Sequence, residues 1–180
     1  MANIVGTDSD DSLIGTDEDD QIFGSFGKDF LFAGAGNDNL DGGEGNDHLV
    51  GGAGDDYLSD WQGSDRLYGD DGNDTLVAYG AMYGQADSDL LDGGAGDDRI
   101  VSYIGGLFHT LTGGSGADTF AFSVMNTASE PNTFLGTPWV TDFNAAEGDR
   151  IDLSGLLPFD VTLPIVFRGQ APAGFSAAPG

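Results

Sequence analysis

An aspartate recurs every nine residues along the first part of the chain: Asp11, Asp20, Asp29, Asp38, Asp47, Asp56, Asp65 and Asp74. Each sits among turn-forming residues, as in GGEGNDHLV (residues 42–50) and GGAGDDYLS (residues 51–59). Glycine turns leave backbone carbonyls open to approach, and a fixed carboxylate adds a hard anionic oxygen. A set of hard oxygen donors is the ligand chemistry of Ca²⁺; Mg²⁺ fits less well because it prefers a tighter octahedral shell that keeps several waters. Without cysteine and with only two histidines, the chain is a poor host for Zn or Cu.

The spacing shows what must position these oxygens. The template Gly-Gly-x-Gly-x-Asp-x-Leu-x runs unbroken through eight copies over residues 6–77. Position eight is always Leu or Ile: Leu13, Ile22, Leu31, Leu40, Leu49, Leu58, Leu67 and Leu76. Repetition at a short period means a solenoid, in which each unit buries its apolar face against its neighbours. Six residues rich in Gly, Asn and Asp suit a turn with positive-φ positions, and the remaining three fit a short strand. Strands separated by one turn run in opposite directions, so two repeats complete a coil. The expected fold is all-β: a parallel β-roll with a turn on each edge, a strand on each face and the position-eight aliphatics inside.

In that roll, residues 18 apart stack at one strand spacing of ~4.8 Å. An ion with ligands at ~2.4 Å spans the same distance between two oxygens. The implied pairs are Asp11/Asp29, Asp20/Asp38, Asp29/Asp47, Asp38/Asp56, Asp47/Asp65 and Asp56/Asp74. The register breaks at residues 78–83, six extra residues, and resumes with GQADSDLLD (84–92) and GGAGDDRIV (93–101). Two further extra residues precede IGGLFHTLT (104–112), where His109 stands in place of the acid, and GGSGADTFA (113–121) restores Asp118. The pairs Asp65/Asp89, Asp74/Asp98 and Asp98/Asp118 continue the edges, whereas Asp89 faces His109, where the expected site is empty or weakened. Beyond residue 121 the template is gone. Residues 1–121 are thus the expected calcium-binding roll and 122–180 an irregular β cap, with strand-like pieces at 119–124, 139–143 and 161–167.

Bulk composition excludes several functions. Acids outnumber bases 31 to 5 for a formal net charge of −26, which argues against nucleic acid or any other polyanion as partner. No apolar run approaches the ~20 residues of a membrane-spanning helix, and no secretory signal-peptide pattern is present. Glycine, at 31 of 180 residues, is more than twice its usual ~7%.

The nonapeptide resembles the repeat of the repeats-in-toxin (RTX) proteins over residues 6–121. GADTFAF (116–122) and WVTDFNAAEGDRIDLS (139–154) resemble the C-terminal module of serralysin-type metalloproteases and mannuronan epimerase R-modules. The RTX resemblance implies ligation by the aspartates named above, together with Asp89, Asp98 and Asp118, and by carbonyls at positions two and four. Where these positions are glycine they are Gly34, Gly36, Gly43, Gly45, Gly52, Gly54, Gly63, Gly72, Gly94, Gly96, Gly114 and Gly116. In the first two copies those glycines are missing, which weakens the end sites. The resemblance also implies a bacterial protein exported by the type I pathway, unfolded inside the cell and folded by calcium outside. The family's uncleaved C-terminal secretion signal and last strands are expected to be truncated or diverged in a chain that ends FRGQAPAGFSAAPG.

The residues encode no enzyme. His-Glu-x-x-His is absent, and Ser123 and Ser154 lack a nucleophile motif. His48 occupies an outward strand position. Trp61, Tyr68, Tyr79, Tyr83 and Trp139 are spaced irregularly, as expected of edge packing rather than a sugar platform. Asp142, Asp149 and Asp152 match the C-terminal family motif, as ligands or as turn-setting residues. The expected function is a non-catalytic, calcium-folded module. Its expected partners are calcium and a covalently linked catalytic or adhesive domain; the alternatives are a polysaccharide-binding or adhesin unit that uses the 78–83 loop and the surface near Leu107 and Phe108, or an accessory module of a secreted protease or epimerase.

Overall fold

The computed structural model describes residues 1–79, 88–104, 109–124, 138–156 and 166–167. The unbroken repeats form β1 (Asn3–Val5), β2 (Ser12–Ile14), β3 (Gln21–Phe26), β4 (Phe30–Ala35), β5 (Asn39–Glu44), β6 (His48–Ala53), β7 (Tyr57–Asp60), β8 (Arg66–Asp71) and β9 (Thr75–Ala78). Then follow β10 (Leu90–Ala95), β11 (Arg99–Ile104), β12 (Thr110–Ser115), β13 (Thr119–Val124), β14 (Trp139–Val140), β15 (Arg150–Gly155) and β16 (Val166–Phe167). Odd-numbered strands stack in order into one eight-stranded sheet and even-numbered strands into the other. Every pairing is parallel, as in Leu31↔Leu49 and Leu40↔Leu58. This is the expected all-β parallel roll, and no helix occurs among the described residues.

The position-eight residues Ile22, Leu31, Leu40, Leu49, Leu58, Leu67 and Leu76 are fully buried between the sheets, with Leu91, Ile100, Leu111 and Phe120 continuing the rows. Each of these residues has a near-identical neighbour one coil away on its own sheet, so the core is built by translation. The insertion after residue 77 leaves the stacking intact. β8 pairs with β10 through Leu67↔Leu91, and β9 pairs with β11 through Leu76↔Ile100.

One expectation needs correction. Most strands are longer than three residues: β5, for example, runs from Asn39 to Glu44 and leaves Gly45, Asn46 and Asp47 as the turn. Glycines at position two take positive φ, +118° at Gly34 and +115° at Gly52, yet these two residues face each other in register. Identical backbone conformations stack well even when they are unusual, so pairing continues into what looked like turn. In the C-terminal part the described strands add to the two sheets, β14 to β12, β15 to β13 and β16 to β14, with a register shift between Ala121 and Ser123. Residues 161–165 lie outside the described residues.

Trp61 stands at position two of its copy and does not adopt positive φ; β7 stops at Asp60, and pairing returns only as a single bridge between Glu44 and Gln62. Ser25 and Asp70 meet the same requirement without glycine, at φ 89° and 72°.

Leu58 lies in the middle of the unbroken run. Leu58→Ala is expected to lower the unfolding free energy of the calcium-saturated protein by about 2–5 kcal/mol, read by denaturant titration. A loss below about 1 kcal/mol would contradict a close-packed aliphatic row.

Candidate metal centres

The turns deliver the position-six aspartates to the edges of the roll, and all of them but Asp11 are buried. One edge carries Asp11, Asp29, Asp47, Asp65 and Asp89 and then His109; the other carries Asp20, Asp38, Asp56, Asp74, Asp98 and Asp118. Along both edges the carboxylate Oδ1 accepts a hydrogen bond from the backbone N–H of the position-six residue one coil earlier. Asp11 donates to Asp29, Asp20 to Asp38, and so on to Asp98 and Asp118, at 2.6–3.0 Å. The pairs that span the insertion, Asp65/Asp89 and Asp74/Asp98, are joined like the rest.

The second oxygen is the chemical opening. Oδ2 of Asp29, Asp38, Asp47, Asp56, Asp74 and Asp98 is buried and has no hydrogen-bond partner. Burial pushes the carboxyls of Asp47, Asp74 and Asp118 up to about 6 and those of Asp56 and Asp98 up to about 7. Asp29 and Asp38 shift the same way for the same reason. Buried carboxylates without counter-charge are stable only when neutralised; protons do this below about pH 6–7 and a cation does it above. Rows of hard oxygens with one unengaged atom per coil fit Ca²⁺.

Glycine is required where these oxygens converge. A Cβ at position one would collide with Oδ2 of the same repeat's aspartate, as at Gly24 with Asp29, Gly51 with Asp56 and Gly93 with Asp98. At positions two and four it would meet the carbonyl oxygen of the preceding coil: Gly52 meets Gly34, Gly54 meets Gly36, Gly63 meets Gly45, Gly72 meets Gly54, and Gly116 meets Gly96. Carbonyls of the expected positions therefore run up both edges in columns. The convergence of position one with Oδ2 was missing from the sequence reading.

Position five is Lys28, Ser64, Ser88, Phe108 or Ala117 in some copies, but a second ladder was also missed where it reads Asp10, Asp19, Asn37, Asn46, Asp55, Asn73 and Asp97. These side chains accept the N–H of the position-five residue one coil later, as in Asn37→Asp19, Asp55→Asn37 and Ala117→Asp97, at 2.8–3.0 Å.

The ends of the edges differ from the middle. In the first two copies Thr7 and Thr16 replace the position-two glycine, and their N–H and hydroxyl groups donate to Oδ2 of Asp11 and Asp20 at 2.6–2.9 Å. Asp20, which also accepts the N–H of Ala2, is accordingly held below the usual aspartate range. At the other end, Asp149 accepts the N–H of Asp118 at 3.0 Å on Oδ1 and of Asn144 at 2.7 Å on Oδ2. It extends the ladder by one coil without leaving an oxygen unpaired. Asp142 accepts two amides, from Gly113 and Gly114. Asp152 bonds Arg99 at 3.1 Å and Ser154 at 2.9 Å.

His109 occupies the aspartate's place. Its Nδ1 lies 3.5 Å from Oδ2 of Asp89 and 3.4 Å from Oγ of Ser102, and burial lowers its pKa to about 4. Both contacts fall on one ring nitrogen of a buried side chain, which is not a relay that could activate the serine. His48 lies on the outer face between the rings of Phe30 and Tyr68. Trp61, Tyr79 and Tyr103 stack face to face at 4.6 and 4.9 Å, so their ring faces pack on one another rather than lying open as a sugar platform. Tyr83, Leu107 and Phe108 lie outside the described residues.

A two-sheet parallel roll with stacked, half-engaged carboxylates along both edges defines a calcium-binding β-solenoid. The model of the family described as RTX calcium-binding nonapeptide repeat (4 copies) matches residues 5–40, 41–76 and 82–105, and the chain belongs to that family. No curated protein and no solved structure matches it.

Two outcomes follow. The carboxyls of Asp47, Asp56, Asp74, Asp98 and Asp118 bind protons more tightly folded than unfolded, so their contribution to the metal-free fold is full below about pH 4 and lost as pH rises through about 6–7. Circular dichroism in chelator is expected to show β structure fading over that window, and a flat profile would contradict the burial. Asp56→Asn keeps an oxygen for the Asp38 amide but removes a charge. It is expected to raise the calcium midpoint of folding about tenfold at neutral pH, read by calcium titration.

Proposed function

We propose that this chain is a non-catalytic folding module of a secreted bacterial protein, ordered by calcium after export. The observation that carries this reading is the set of six buried Oδ2 atoms without partners. The same hydrogen bonds that stack the coils bring these carboxylates together, so the metal-free chain resists closure at neutral pH. Calcium bound along the edges would neutralise them, and binding free energy then becomes folding free energy. In a calcium-poor cytosol such a chain stays unfolded; in a calcium-rich exterior it folds.

RTX repeats are characteristic of secreted bacterial proteins, which supports type I export and an extracellular site of action. The resemblance of residues 116–122 and 139–154 to the serralysin and epimerase module supports a role beside a covalently linked catalytic or adhesive domain. The ion's job in this reading is structural: each of these six aspartates presents one oxygen to the backbone and one to the cation.

The test is a calcium titration followed by circular dichroism at neutral pH. Largely unfolded chain is expected in chelator, with cooperative gain of parallel β signal by about millimolar Ca²⁺. Full β structure in chelator at neutral pH would remove calcium-coupled folding as the function.

A further inference from the structure

Asp60 stands where most copies of the repeat have the position-one glycine. Its side chain points inward, the residue is 1% exposed, and neither carboxylate oxygen has a hydrogen-bond partner. Carboxylate oxygens of Asp47, Asp60 and Asp65 lie within 4.8 Å of one another, and Oδ2 of Asp47 is itself unpartnered.

Comparison with other coils shows what has been exchanged. A Cβ placed on Gly6, Gly15, Gly24, Gly69 or Gly93 would meet the backbone carbonyl oxygen of the equivalent residue one coil on, at Gly24, Ala33, Gly42, Gly93 and Gly113 respectively. At Gly42 the oxygen in that place is Oδ2 of Asp60. A neutral carbonyl has thus given way to a carboxylate beside two position-six aspartates. Three buried carboxylates in mutual reach repel strongly in a low-dielectric interior, and no protein donor engages Asp60. The strand ends at this residue, and the next side chain, Trp61, packs against Tyr79 at 4.6 Å.

We propose that Asp47, Asp60 and Asp65 form a three-carboxylate cation site, the tightest calcium site of the roll, with Asp60 as a ligand particular to this coil. This rests on the calcium reading of the edges. Affinity of oxygen sites for calcium rises with the number of charged ligands. The Asp47/Asp65 rung therefore fills first and gives the neighbouring coils an ordered template.

Calorimetric titration of the wild-type chain with Ca²⁺ tests it, alongside Asp60→Gly, which restores the residue found in other copies, and Asp60→Asn, which keeps the shape. The wild type is expected to show one equivalent at least about tenfold tighter than the rest. Both variants are expected to lose that step while still folding in saturating calcium. An unchanged first step in Asp60→Gly overturns the proposal; a wild type that binds no calcium overturns the calcium reading itself. A variant-independent check uses Tb³⁺ emission excited through Trp61 in a Trp139→Phe background that keeps Asp60. Emission is expected to saturate with the first equivalent, and growth only at later equivalents overturns the proposal even if neither Asp60 variant folds.

Discussion

One oxygen of nearly every edge aspartate accepts the amide of the coil before it, and in six of them the other oxygen is buried and accepts nothing. Much of the molecule's behaviour follows from that division. The engaged oxygen sets the vertical register at each edge, so each turn is located relative to its neighbour even where the intervening chain changes length. That is how the coils on either side of residues 80–87 keep the Asp65/Asp89 bond at 3.0 Å across 24 residues instead of 18. The unengaged oxygen accumulates charge along the same line. The geometry that stacks the coils is therefore also what drives them apart until the charge is neutralised.

The position-five ladder completes the clamp. Its bonds run from the later coil to the earlier one, whereas those of position six run from the earlier to the later. Where position five is Asp or Asn, two adjacent residues thus tie successive turns in both directions. The position-five side chains are exposed and can be satisfied by water, so their bonds stabilise less than those of the buried aspartates. Glycine serves the arrangement in two distinct ways. At positions two and four it supplies positive φ and lets the preceding carbonyl approach; at position one it leaves room for Oδ2.

Much of this was legible in the sequence because translation is a strong constraint. A nine-residue period with one fixed aliphatic determines which residues stack, hence the coil, both sheets and the fully buried row of Leu and Ile. The same period places the aspartates on two edges. It does not say which oxygen of an aspartate meets an amide, nor how far the strand extends into the glycines, because both depend on pairing between coils. Asp149 was legible only as an element of a family motif. It lies 31 residues from Asp118 with no template between them, yet its carboxylate forms the next bond of the ladder. Asp60 was passed over because a departure from glycine reads as a lost turn residue. Only the inward direction of position one reveals a gained carboxylate.

The two ends of the roll show that the unpaired oxygen is a specific property of the middle. At the N-terminal end Thr7 and Thr16 supply the donors that Gly-Gly copies lack, and the second oxygens of Asp11 and Asp20 are occupied. At the far end of one edge Asn144 does the same for Asp149, and on the other edge His109 replaces the acid altogether and lies against Asp89. A solenoid needs terminal units that do not depend on a further neighbour, and here the need extends to charge. A terminal carboxylate with coils on one side only would have half a cage and full repulsion. Substituting protein donors, or an imidazole that stays neutral because burial lowers its pKa to about 4, ends each edge without requiring an ion there. The roll is thereby divided into self-satisfied ends and a cation-demanding centre, with Asp60 at the point where that demand is greatest.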